Sequence, residues 1–145
     1  MEKFSSVKYH KIQLVVPLHE IDMGGVVYHG NYLHFYNDAR DKFFHDIGYS
    51  YMKLIKNGTH LTIAELTCAF KTSVHYDEKI SVHTGFSWYS TRSLGISQKI
   101  FKIENEDTIL CNEASFNMVC TNRTGQAVPL PKEFVDIVLA YNENL

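Results

Sequence analysis

Tyr32, Phe35, Tyr36, Ala39, Phe43 and Ile47 recur at three- and four-residue steps, and after Gly58 the chain turns to strict alternation. The first pattern is one buried face of a long helix, and the second belongs to half-buried strands. Asn31 is the expected N-cap, and Gly48 the residue just past the helix end. Residues 50–56 read as a short second helix, capped by Ser50 and stopped at Asn57-Gly58. Before the long helix, Ile12, Leu14, Val16 and Leu18 alternate, so residues 9–18 form a first strand that Pro17 brings towards its end. Residues 60–70 follow, with Ala64, Leu66, Cys68 and Phe70 on one face and Leu61, Ile63 and Glu65 on the other. Residues 79–89 place Ile80, Val82, Thr84 and Phe86 on one face. Residues 93–103 and 108–120 complete the strands. Pro131 suits a first helical position, and Phe134, Ile137 and Val138 give a short C-terminal helix its apolar face. Residues 1–8 are polar and expected to fray. One strand, a long helix and then four strands joined by short turns describe an antiparallel α+β fold.

The chain has 145 residues, 45% of them hydrophobic and 21% charged, as in an ordinary globular domain. One domain spanning residues 1–145 is expected. The formal net charge of −2 argues against a nucleic-acid-binding surface. No apolar run approaches the roughly 20 residues of a transmembrane segment, and MEKFSSVKYH lacks the apolar core of a secretory signal. Cys68, Cys111 and Cys120 form no CxxC pair and read as reduced thiols of a cytoplasmic protein. The histidines show no zinc-ligand spacing, and neither a P-loop nor a GxGxxG pattern occurs, so no cofactor is expected.

The polar groups concentrate just ahead of the long helix, in Glu20-Ile-Asp22-Met-Gly-Gly-Val-Val-Tyr28-His29-Gly30-Asn31. Gly24-Gly25 permit a tight bend. Backbone N–H groups at a helix start lack intrahelical partners and can hold a developing oxyanion. A carboxylate and a histidine beside such amides have the parts for hydrolysing an acyl compound. Each residue also has a plainer reading. Asp22 can close the turn by accepting from the amide of Gly24 or Gly25. His29 can cap the helix, Tyr28 and Tyr32 can pack, and Glu20 reads as a solvated carboxylate. Glu65 needs a partner if it is buried.

This stretch resembles the active-site segment of the 4-hydroxybenzoyl-CoA thioesterase family, in particular its YbgC-like acyl-CoA thioesterases. The family pattern Asp-x-x-Gly-x-Val-x-x-x-x-Tyr matches Asp22, Gly25, Val27 and Tyr32. FKTSVHYDEKI (residues 70–80) and VPLPKEF (residues 128–134) extend the likeness over nearly the whole chain. Ser73 stands where the family often has a proline.

The resemblance implies a hotdog fold, an antiparallel five-stranded sheet wrapped around one long helix. It implies an acyl-CoA thioesterase with Asp22 as nucleophile or general base and the His29 amide as oxyanion donor. The His29 imidazole would orient water, move a proton or stabilise the Asp22 charge. Tyr28, Gly30 and Tyr32 would line the substrate site. Arg92 and Ser93 fall near the family's CoA-contacting turn, with Lys71 and Lys79 as weaker cations. An acyl carrier protein is the alternative acyl donor, and a binding module without turnover the alternative function. The family assembles edge to edge, so a homotetramer built as a dimer of dimers is expected. Its sites draw Asp22 and the His29 amide from one chain, and the regions of Tyr76-Asp77 and Arg92 partly from another.

Overall fold

The computed structural model describes residues 1–143. Its strands are β1 (Glu2–Lys3), β2 (His10–Val15), β3 (Thr59–Phe70), β4 (Lys79–Tyr89), β5 (Ser93–Glu104) and β6 (Asp107–Asn122). Its helices are α1 (Tyr32–Asp46), α2 (Tyr51–Lys56) and α3 (Lys132–Glu143). All pairings are antiparallel, in the order β1-β4-β5-β6-β3, with β2 also on β4. The sheet curls around α1, which gives the hotdog arrangement. The sheet has six strands rather than the expected five. The addition is β1, where Glu2 and Lys3 pair with Tyr89 and Trp88, in a segment expected to fray.

The core follows the two periodicities. Tyr32, Phe35, Tyr36, Ala39 and Phe43 of α1 are buried, and so are Ile80, Val82, Thr84 and Phe86 of β4. Phe43 and Phe44 both pack on Phe86, with ring centroids 4.9 and 6.2 Å apart. Phe134 of α3 closes the end of this cluster against Phe44 and Tyr49. Gly48 ends α1 at φ +93°, where a side chain would be strained.

Several expectations need correction. Ser50 precedes α2 but its side chain makes no cap. The first strand stops at Val15, and Leu18 lies exposed in a 3₁₀ turn. Asn31 occupies the position before α1, but its side chain makes no cap. It donates instead to the Glu20 carbonyl, because a 3₁₀ turn over His29–Asn31 already leads into the helix. β3 has no buried face along its middle: residues 62–67 are all exposed. A bulge between Ile63 and Glu65 breaks the alternation, and β3 is one open edge of the sheet. Glu65 is accordingly exposed, and among the described residues its carboxylate makes only a long contact to Asn117 at 3.4 Å.

Candidate active site

The turn ahead of α1 is held by backbone bonds on both sides. Asp22 N–H donates to Val26, Val27 N–H to Val74, and Tyr28 N–H to the Glu20 carbonyl. These bonds fold residues 20–28 back against the loop before β4. A cavity of about 250 Å³ opens there, lined by Asp22, Val26, His29, Tyr32, Phe70 and Lys71 among others.

Asp22 Oδ1 accepts from the Gly24 amide at 2.8 Å, so the turn-closing reading holds. Oδ2 has no partner among the described residues, and Asp22 still lines the cavity. A Cβ at Gly24 would sit 3.1 Å from Oδ1 and crowd it. The N–H groups of His29 and Gly30 open the 3₁₀ turn, and neither has a partner among the described residues. The His29 ring is exposed and lies on Tyr28, with centroids 4.2 Å apart.

The expected binding residues separate. Tyr32 is buried edge-on to Phe70 at the cavity wall, and burial raises its hydroxyl pKa. Tyr28 is 44% exposed and, like Gly30, outside the cavity lining. Arg92 is exposed in the turn after β4, where its carbonyl accepts from Cys120. Ser93 bonds Ser90 through their hydroxyls at 2.6 Å. Both lie at the far end of β4 from Asp22, roughly 35 Å away at about 3.3 Å per strand residue. Within one chain they do not join the Asp22 cavity, whereas Lys71 does.

Glu20 is not solvated. It is 4% exposed and accepts from His34 Nδ1 at 3.0 Å, with His19 Nε2 at 3.1 Å. Its partner His34 comes from the first turn of α1, so the contact spans a chain reversal that local spacing does not reveal. Glu20 therefore ties the turn to the helix and stands apart from the cavity. Arg40 was also missed. It is buried on α1 among aromatic residues, and its signal was its place four residues after Tyr36 on the buried stripe.

A model of the thioesterase-like superfamily matches residues 16–138. A putative acyl-CoA thioesterase of Bacillus subtilis, YneP, is 26% identical over 92% of this chain and 95% of its own length. The acyl-CoA thioester hydrolase YbgC of Escherichia coli is 28% identical over 71% of this chain and 75% of its own. Among solved structures, a DHNA-CoA thioesterase from Staphylococcus aureus superposes with a TM-score of 0.82 at 28% identity, covering 94% of this chain and 90% of that one. No helix among the described residues is long and apolar enough to cross a membrane. With the family match running from the last turn before Asp22 to the middle of α3, the chain belongs to the thioesterase-like superfamily as a YbgC-like enzyme.

Proposed function

We propose that this enzyme hydrolyses an acyl-CoA thioester to the free acid and CoA, with Asp22 as nucleophile or general base and the His29 amide as oxyanion donor. The reading is carried by one observation: Asp22, whose Oδ2 has no partner among the described residues, and His29, whose amide likewise has none, line the same cavity. In this reading the thioester carbonyl oxygen sits at the His29 N–H, which gains strength as negative charge builds there. Asp22 Oδ2 either attacks the carbonyl carbon, giving a mixed anhydride that water opens, or takes a proton from the attacking water. The CoA thiolate leaves without needing a strong acid. Tyr32 and Phe70 form an apolar wall beside the acyl group, and Lys71 or Arg92 receives CoA phosphate.

Assembly belongs to the same proposal. The open edge of β3 invites pairing with a second copy, giving a dimer and, by the family's habit, a tetramer of two dimers. Such pairing would draw the Arg92 end of one chain towards the Asp22 end of the other. Three unpaired cysteines support a reducing, cytoplasmic setting. Thiol release from acyl-CoAs of graded chain length, with the matching acyl carrier protein thioesters alongside, tests the activity and the donor. Release that disappears in Asp22→Asn supports the proposal. Tight acyl-CoA binding without release by the wild type would leave a binding module instead.

A further inference from the structure

Arg40 carries a charge that the described residues do not answer. It is 8% exposed, and no carboxylate pairs with it among the described residues. Nη1 donates to Gln98 at 2.8 Å and Nη2 weakly to Asn37 at 3.4 Å. The guanidinium lies over the Phe116 ring at 4.3 Å. A guanidinium has five N–H donors, so most of this fork is unused. Burial lowers its pKa to about 10, which leaves it charged at neutral pH. A buried charge without a counter-group is costly, so an oxygen acceptor brought to it is held strongly.

The side chain borders a cavity of about 260 Å³, whose walls include Phe44, Tyr51, Leu61, Ile63 and Met118. These walls suit an apolar chain, and Arg40 suits an oxygen at its end. Asn37 and Asp41 also border the cavity. Asp41 is exposed, so it contributes a solvated carboxylate at the rim. A hydroxyl satisfies both groups, accepting from Arg40 and donating to Asp41, while a carboxylate satisfies Arg40 alone.

The location of the cavity says whose substrate it receives. Leu61 and Ile63 lie at one end of β3, and Phe70, in the wall of the Asp22 cavity, lies at the other. β3 is an unpaired edge, and its exposed stretch of residues 62–67 is centred between Ala64 and Glu65. A two-fold axis at that centre sets Ile63 opposite the partner's Leu66 and Thr62 opposite the partner's Thr67. Ile63 and Leu66 are 40% and 39% exposed in the single chain, so the pairing covers both. It also keeps the two Glu65 side chains from facing one another, which like charges disfavour. The same register brings Phe70 of one chain beside the partner's Thr59 and next to the partner's Leu61.

Resting on the proposed thioesterase activity, we infer that the Arg40 cavity of one chain forms the distal acyl pocket for the partner's Asp22 site, with Arg40 selecting acyl groups that carry a hydroxyl or carboxylate remote from the thioester. Arg40 is then a specificity residue acting across the dimer, away from the reacting carbon.

The test compares plain, ω-hydroxy and ω-carboxy acyl-CoAs of matched and graded length. The wild type favours an oxygen-ended chain at one length, by kcat/KM. Arg40→Met reduces that preference by about 10–100-fold, the range for a hydrogen bond to a charged group. Arg40→Lys keeps the charge without the fork and falls between the two. Melting curves identify variants that fail to fold, and Arg40→Lys carries the test if Arg40→Met does. Hybrids of Asp22→Asn with Arg40→Met chains regain the preference, since one site per hybrid holds both native residues. A preference that is absent in the wild type, or equal in folded Arg40 variants, overturns the inference. Hybrids that form without regaining it overturn the cross-dimer placement. Calorimetry of the same acyl-CoAs on the wild type reads the preference without turnover. Absent thiol release with a persisting binding preference would therefore sink the hydrolase reading and leave the Arg40 pocket standing.

Discussion

The Asp22 end of the sheet and the Arg92 end are furnished with different chemical groups. At the first, Asp22 and His29, whose backbone amide has no partner among the described residues, line a cavity with one lysine, Lys71. At the second, Arg92 lies exposed in a turn beside the half-buried Ser93 that begins β5, and a separate pocket gathers Lys56 and Arg123 with no carboxylate in its lining. In the proposed reading, the first end serves acyl transfer and the second serves phosphate recognition. About 35 Å of strand separates them, so one chain does not bring them together. The comparison teaches that the protomer is not the functional unit if Arg92 meets CoA. It also identifies Lys71 as the rival cation, since that residue is already beside Asp22.

The largest effect tests the first end. Asp22→Asn lowers kcat by about 10²–10⁴, as expected for a lost base or nucleophile, with acyl-CoA affinity nearly unchanged. Single-turnover kinetics and calorimetry separate the two quantities. The next tests the second end. Arg92→Ala raises KM about tenfold with little change in kcat, because a phosphate contact serves ground and transition states alike. The penalty vanishes for a pantetheine thioester lacking the nucleotide. If Lys71→Ala shows this pattern and Arg92→Ala does not, the CoA contact lies within one chain and the contrast between the ends loses its meaning.

A smaller effect separates the two carboxylates of the turn. Glu20→Gln costs roughly 1 kcal/mol of stability, since its histidine partners are well exposed. Its kcat stays within about tenfold of the wild type, in contrast to Asp22→Asn. Thermal melts and initial rates read both. A comparable collapse of kcat in both variants would show that burial does not distinguish their roles.

The smallest effect lies on the sheet face remote from both ends. Burial, then the nearby Lys11 and Lys99, lowers the His83 pKa to about 4. Its ring packs on Phe101 and accepts from or donates to Ser81. The unfolded chain takes up a proton near pH ~6.5, and the folded chain only near 4. This contribution to stability is complete above pH ~6.5 and is lost as pH falls towards 4. His83→Phe flattens the acid side of a plot of Tm against pH by a few degrees, without altering kcat at neutral pH.

What the sequence disclosed depended on how each residue is surrounded. β4 was legible because neighbours on both sides hold it in register, so alternation translated into burial at Ile80, Val82, Thr84 and Phe86. The span of β3 was legible but its faces were not, because the middle of an edge strand with a bulge has no covered face to announce. β1 escaped because two polar residues carry no pattern, and their pairing with Trp88 and Tyr89 is long-range. In the candidate site, the closeness of Asp22 and His29 was legible from spacing, because both belong to one local turn and line one cavity. Glu20 and Arg40 were misread or missed because charged side chains normally stay in water. Their burial depends on His34 and on Gln98 and Phe116, contacts that only the folded chain makes.

The most direct measurement mixes Asp22→Asn and Arg92→Ala chains, verifies subunit exchange, and follows thiol release at substrate well below KM. Each variant alone is impaired. Random pairing makes half of the dimers hybrids, and one of the two sites in each hybrid is intact, so roughly a quarter of all sites regain wild-type activity. Recovery near that level is the result predicted for a thioesterase site assembled from opposite ends of two chains. Verified hybrids with no activity beyond the sum of the parent variants would contradict it.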